Sequence, residues 1–359
     1  MRNLLDIVDF SVDEINKLME KAEDIAENKK KYADSCKGKK LATLFFEPST
    51  RTRISFEAAM LELGGSVIGF ADPNSSSASK GECVRDTVRV IGNYADIIAM
   101  RHPYEGAPYV AVTKSPVPII NAGDGGHCHP TQTLADMLTI HREIRRMDNL
   151  TIGFCGDLKY GRTVHSLINA MIRYKNNKFI LISPSELKLP IYMLDTLKKA
   201  GASYIITDDM EKYMAELDIL YMTRVQRERF DSAADYDKVK DCYILTPEKL
   251  HTAKSTMRIL HPLPRVNEIS QKVDDDSRAA YFRQTENGKL MRMALILKLL
   301  DSLEYSENRE KGVEIVNLKC KNPKCITHKE QELAQSFVKS EKGDNIYKCV
   351  YCESELKKD

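Results

Sequence analysis

Cys320 and Cys325 are followed, after 23 intervening residues, by Cys349 and Cys352. Two close cysteine pairs on separate turns give a tetrahedral ion four sulfur ligands at about 2.3 Å, and zinc is the usual occupant. A tail of about 45 residues builds little core of its own, so the metal supplies the missing stability. Four sulfurs leave no open coordination position. The spacing therefore predicts one structural zinc per chain, held by Cys320, Cys325, Cys349 and Cys352. Four unrelated thiols or an iron–sulfur cluster are the competing readings, and His328 is a bystander. Alternation in Gln335–Lys339 and Asn345–Val350 predicts a small antiparallel sheet around the site. The other five cysteines (Cys36, Cys83, Cys128, Cys155, Cys242) follow no pattern and read as small buried or neutral residues of a reducing compartment.

Nine apolar, often β-branched runs precede the tail: Leu41–Phe46, Val67–Phe70, Ile97–Met100, Val117–Asn121, Leu150–Cys155, Phe179–Ser183, Tyr204–Thr207, Ile219–Met222 and Met257–His261. Amphipathic segments such as Phe56–Leu63, Cys83–Tyr94 and Val164–Tyr174 alternate with them. That alternation predicts α/β architecture, and nine strands favour two doubly wound parallel-sheet domains over one open sheet. The expected division is 1–135, completed by a helix at 286–304, then 136–285, a charged linker at 305–314, and the zinc-bound β domain at 315–359. Lys and Arg total 54 against 52 Asp and Glu, so no global charge draws the chain to nucleic acid or membrane. The acidic opening segment is unlike a signal peptide, and no apolar stretch is long enough to span a bilayer. The expectation is a cytoplasmic protein.

Phe45–Arg53 (FFEPSTRTR) carries the strongest chemical signal. A strand ends at Phe46, Pro48 breaks it, and Ser49 or Thr50 caps a helix starting near Arg51. Free N–H groups at that helix start, two hydroxyls and Arg51 make a phosphate cradle, whereas Arg53 is as easily an ion-pair partner. Asp72–Glu82 is a polar loop carrying Lys80, either a solvated linker or a lid over an anion. Arg101 stands at a strand end, where α/β sheets bind ligands, and His129 to Gln132 lie in the loop after the next strand. Arg162 and Arg224 repeat this placement in the second half, and two forked cations suit a dicarboxylate. The glycines around Gly156 and Gly161 do not follow a dinucleotide-binding spacing.

PSTRTR, SKGE, MRHP-EG, NAGDG–HPTQTL, GDLKYGRTVHS, LYMTRVQ-ER and LHPLPR, in this order, resemble the aspartate carbamoyltransferase catalytic chain from about Leu4 to Leu303. About Val313 to Glu355 resembles the zinc domain of that enzyme's regulatory chain, without the nucleotide-binding domain that precedes it there. The resemblance implies transfer of the carbamoyl group from carbamoyl phosphate to L-aspartate, with no catalytic metal or organic cofactor. It implies that Ser49, Thr50, Arg51 and Thr52 hold phosphate, while Arg101 bridges phosphate and carbonyl oxygen. His129 and Thr52 would polarise that oxygen, and Gln132 would bind the carbamoyl amine. Arg162, Arg224 and Gln226 would grip aspartate, with the Leu263-Pro264 backbone completing the pocket. Ser76 and Lys80 would come from a neighbouring subunit of a homotrimer with shared sites, both to bind carbamoyl phosphate and Lys80 to bind aspartate as well. The fused zinc tail would pack on its own subunit or pair two trimers, as an assembly element rather than a regulator. An ornithine-type acceptor is the nearest alternative, and a nucleic-acid-binding zinc tail a more distant one.

Overall fold

The computed structural model describes residues 2–72, 76–225, 232–302, 312–315, 317–330 and 332–358. Gln226 and most of the expected linker lie outside the described residues. By contact, the chain divides into two compact units, one comprising Met1–Phe10, Glu20–Thr131 and Lys289–Asp359, the other Ser11–Met19 and Gln132–Gly288. Both later boundaries fall inside helices, Pro130–Ile144 and Tyr281–Asp301.

The first unit holds a parallel four-stranded sheet of β1 (Lys40–Phe45), β2 (Ser66–Phe70), β3 (Ile97–His102) and β4 (Ile119–Asp124), in the order β2-β1-β3-β4. The second holds a parallel five-stranded sheet of β5 (Thr151–Cys155), β6 (Lys178–Ile182), β7 (Ser203–Thr207), β8 (Ile219–Met222) and β9 (Arg258–Leu260), ordered β7-β6-β5-β8-β9. All nine expected strands are present, within a few residues of their expected ends. Each sheet reverses its direction of growth once, between β1 and β3 and between β5 and β8. Such switch points open a crevice at the carboxyl ends of the strands.

The tail forms an antiparallel sheet of β10 (Val313–Glu314), β11 (Ser336–Lys339), β12 (Ile346–Cys349) and β13 (Glu355–Lys357). It packs in cis within the first unit. Phe337, Val350, Tyr351 and Leu356 join one apolar core with Leu44, Val88, Met100 and Val110 of the four-stranded parallel sheet and its helices. This places the tail's apolar face against its own chain, which a module of this size requires.

One detail differs from the sequence reading. The long C-terminal helix starts at Tyr281, five residues before the expected start at 286. Its first turns are held by tertiary contacts that outweigh the glycine: Arg283 donates to Glu143 at 2.6 Å, and Asn287 Nδ2 to Thr139 Oγ1 at 3.0 Å. Among the scattered cysteines, Cys36, Cys128 and Cys155 are buried, Cys83 is partly exposed and Cys242 is exposed. The neighbouring Tyr243 takes the core position beside Cys242.

Candidate active site and metal centre

In the first unit, β1 runs out at Phe45 and the Thr50–Glu62 helix begins five residues later, with Ser49 at its N-cap. The Ser49 side chain makes no capping bond. Intrahelical bonding begins where Arg53 N–H reaches the Ser49 carbonyl at 3.2 Å, so the preceding N–H groups at the helix start have no carbonyl partner within the helix, as at any anion-binding helix start. Thr52 is buried on the first turn, while Thr50 and Arg51 are exposed. Arg53 turns back to Glu57 at 2.7 Å, which makes it the ion-pair partner rather than part of the cradle. The helix is pinned from its other face by Arg292, which donates to Ser55 Oγ at 3.1 Å and lies over the Phe56 ring.

Arg101 lies beside this helix start, inside β3, which extends past its expected end at Met100 to His102. The Phe46 N–H donates to the Arg101 carbonyl at 2.9 Å, continuing the ladder into the switch point. Glu47 meets the Arg101 guanidinium at 2.9 Å and fixes a side chain that is only 12% exposed. Next in line, His102 is buried against Phe46, and that burial holds its imidazole down to about 4. Its Nδ1 accepts from the Tyr104 N–H at 3.0 Å.

His129 is buried just before the Pro130–Ile144 helix, so Pro130 to Gln132 form a helical first turn rather than loop. Asp124 shapes the turn leading to it. The carboxylate accepts from the N–H groups of Gly106 (2.8 Å) and Cys128 (3.1 Å) and from Asn121 Nδ2 (2.9 Å), and it meets His127 Nδ1 at 3.0 Å. Burial opposes its charge, but His127 and these donors hold it below the usual carboxylate range. Asp124, His127 and Cys128 bring potential metal-binding atoms close together. However, the carboxylate's lone pairs are taken by the loop, and burial pushes the Cys128 thiol up to about 12, so the cluster is a loop brace. Ser76 is half-buried, and Lys80 is exposed at the end of the Ser77–Lys80 turn.

In the second unit the same logic is repeated at the β5/β8 switch point. Gly156 follows β5 at φ +117, and a Cβ there would meet the Thr223 carbonyl oxygen at 2.6 Å. Asp157 N–H donates to Thr223 Oγ1 at 2.8 Å, joining the two strand ends. Arg162 opens the Arg162–Met171 helix after the first end, and Arg224 follows the second; both are half-buried. After β9, His261 Nδ1 accepts from the Leu263 N–H at 2.8 Å, and Nε2 meets Glu268 Oε1 at 2.8 Å. Glu268 also accepts from the Val266 and Asn267 N–H groups, so the loop presenting Leu263 and Pro264 is braced from within. Gln132 Nε2 donates to the buried Asp136 at 2.7 Å, and Asp136 also accepts from Tyr221 Oη and Gln284 Nε2.

Sequence reasoning missed Glu47, Asp124, Asp136 and the His261–Glu268 pair. Glu47 had a visible signal, an acid inside the phosphate motif itself. The others act through partners distant in sequence or through loop backbone that no local pattern reveals.

In the tail, the sulfurs of Cys320 and Cys352 lie 3.5 Å apart and those of Cys325 and Cys349 3.9 Å apart, all four within 4.8 Å of one another. A tetrahedron with bonds of about 2.3 Å has edges of about 3.8 Å, so the donors fit one thiophilic ion. Sulfurs this close leave no room for a multi-iron cluster. His328 Nε2 donates to the Cys320 carbonyl at 2.8 Å and orients that ligand turn.

Residues 2–142 match the family described as the aspartate/ornithine carbamoyltransferase carbamoyl-P binding domain, and residues 148–299 its Asp/Orn binding domain. The aspartate carbamoyltransferase catalytic subunit of Clostridium novyi is 59% identical over 299 residues, covering 83% of this chain and 98% of the relative. That of Clostridium acetobutylicum is 60% identical over 303 residues, covering 84% and 99%. The chain belongs to the aspartate carbamoyltransferase family. Residues 311–359 match the metal binding domain of the aspartate carbamoyltransferase regulatory chain, so this member joins catalytic domains to a regulatory-type metal domain. The catalytic subunit of M. jannaschii aspartate transcarbamoylase superposes with a TM-score of 0.79 at 46% identity, covering 84% of this chain and 98% of that one. The Trypanosoma cruzi enzyme, solved with N-(phosphonacetyl)-L-aspartic acid, superposes at 0.78 with 38% identity, covering 83% and 95%. Like these aspartate carbamoyltransferases, the chain is a transferase.

Proposed function

We propose that the chain transfers the carbamoyl group of carbamoyl phosphate to the amine of L-aspartate, giving N-carbamoyl-L-aspartate and phosphate, an early step of pyrimidine synthesis. The observation that carries this is the helix N-terminus at the β1/β3 switch point, without a side-chain cap and flanked by an Arg101 fixed on Glu47. Ser49, Thr50, Arg51 and Thr52 bind the phosphate there. Arg101 spans phosphate and carbonyl oxygen, and His129 and Thr52 donate to that oxygen as the amine attacks. Negative charge grows on the carbonyl oxygen and then on the leaving phosphate. Preorganised donors stabilise both, and orientation supplies most of the remaining rate enhancement.

Gln132 has its amide NH2 committed to Asp136, which suits its oxygen to accept from the carbamoyl NH2. Arg162 and Arg224, with Gln226, take the two carboxylates of aspartate. The Leu263 N–H is already used by His261 and Pro264 has none, so this loop offers carbonyl oxygens, the right polarity for the aspartate amine. Ser76 and Lys80 act from the neighbouring subunit of a homotrimer with shared sites, both as ligands of carbamoyl phosphate and Lys80 of aspartate as well. The tail holds one structural zinc per chain, and the enzyme works in the cytoplasm. Among the described residues no helix is long and apolar enough to cross a membrane.

The test is inhibition by N-(phosphonacetyl)-L-aspartate, which joins the features of both substrates. Inhibition competitive with carbamoyl phosphate is expected; turnover indifferent to the compound would overturn the reading.

A further inference from the structure

Glu330 belongs to the metal domain, yet its carboxylate caps a helix of the phosphate-binding domain. Oε1 accepts from the N–H of Val84 at 2.7 Å in a buried bond spanning 246 residues of sequence, and Oε2 lies 3.7 Å from Arg85 Nε. Val84 is the first residue of the Val84–Ile91 helix, whose own N-cap, Cys83, makes no side-chain capping bond. Immediately before that helix comes the turn ending in Lys80. Within the turn, Ser79 N–H and Oγ donate to the Ser76 carbonyl, and Glu82 N–H donates to the Ser77 carbonyl at 3.3 Å. Thr87 Oγ1 reaches back to Glu82 at 2.8 Å and to the Cys83 carbonyl at 3.0 Å, tying the stem of the turn to the helix. A cap sets the direction in which the chain enters its helix. Displacing Glu330 therefore loosens the base on which the Lys80 turn stands.

We infer that Glu330 is a positioning residue for carbamoyl-phosphate binding, through which the metal domain holds the Lys80 turn in its working orientation. This rests on Lys80 acting as a phosphate ligand in the reaction proposed above. Two further attachments of the metal domain reach the neighbouring site loops. Glu105, beyond Arg101, exchanges backbone hydrogen bonds with Lys324 and Ile326, and His127, beside His129, meets Glu353 at 3.4 Å. Glu330 differs from both in that its side chain bonds the first N–H of the helix that follows the Lys80 turn.

The test compares full-length, metal-loaded wild type with Glu330→Ala and Glu330→Gln. Glu330→Ala should raise the KM for carbamoyl phosphate roughly fivefold, the scale of a lost helix cap, with metal content within about twofold of wild type. Glu330→Gln keeps an oxygen for the Val84 N–H and should stay within about twofold on every count. Amide exchange across Ser76–Thr87 reads the same effect without turnover: protection falls in Glu330→Ala and survives in Glu330→Gln. An unchanged carbamoyl-phosphate KM with unchanged exchange in Glu330→Ala would overturn the inference, as would equal damage from both variants. If Glu330→Ala does not fold, Glu330→Asp, which withdraws the oxygens by one methylene, takes its place with the same expectations. A wild type that fails to carbamoylate aspartate would sink the functional reading separately, with the exchange experiment still judging Glu330.

Discussion

Gly106 and Tyr351 are packed so closely that a Cβ on the glycine would stand 2.6 Å from the tyrosine backbone. Gly106 also sits at φ +85, a left-handed conformation that L side chains rarely adopt. Around this contact the Tyr109 and Tyr351 rings meet edge to face at 5.7 Å, and Glu105 pairs with the metal hairpin. Gly106→Ala should therefore weaken the docking of the metal domain beyond the effect of backbone strain alone. Gly201→Ala serves as the control, because Gly201 has φ +65 with nothing within 4 Å of an added Cβ. Strain costs about 1–3 kcal/mol at either position. The extra loss expected at Gly106 should show in denaturant melts, with faster proteolysis of the tail; equal losses at both positions would contradict the docking account.

Metal removal is expected to unfold the tail first. The four buried cysteines sit in the same apolar core as Phe337 and Val350, and without an ion the short strands lose their staple. Metal analysis should find one zinc per chain, and Cys349→Ser should abolish it. Exchange protection would then fall across residues 312–358 before it falls across β1 to β4. Retention of a protected tail after complete chelation would argue that the sulfurs are not the staple.

Arg51→Ala should lower kcat/KM by roughly 100-fold or more while leaving circular dichroism unchanged, the usual scale for a lost transition-state donor. The same is expected of Lys80→Ala. Mixed, the two variants should regain partial activity, since some shared sites would draw an intact Lys80 and an intact Arg51 from different chains. Mixtures no more active than their parents would exclude a trans role for Lys80.

Acid should destabilise the first unit through His102. Its folded value is held down to about 4 by burial, against 6.5 when free. As pH falls through 6.5 the unfolded chain takes up a proton that the folded chain refuses until near 4. The favourable contribution is whole above pH 6.5 and is lost progressively down to pH 4, by about 3 kcal/mol in total. His102→Asn keeps an acceptor for the Tyr104 N–H and should flatten this slope in urea melts between pH 7 and 4. An unchanged slope would point to other groups.

The strands were legible because a parallel sheet buried on both faces needs continuous apolar runs, such as Ile97–Met100 and Ile219–Met222. The phosphate cradle was legible because strand end, breaker and cap are neighbours in sequence from Phe45 to Arg53. The early start of the last helix was not, since Arg283 and Asn287 are held by Glu143 and Thr139 rather than by any local signal. Cis docking of the tail was equally hidden. It depends on pairs such as Val84–Glu330 and Gly106–Tyr351, whose members carry no mark of each other. The cysteine spacing announced a metal module and was silent on where that module sits.

The central claim concerns the acceptor. A single reaction containing carbamoyl phosphate, L-aspartate and L-ornithine at equal concentrations, read by mass spectrometry, tests it most directly. N-carbamoyl-L-aspartate formed in step with phosphate release, with little or no citrulline, is the expected result; citrulline as the sole product would contradict the account.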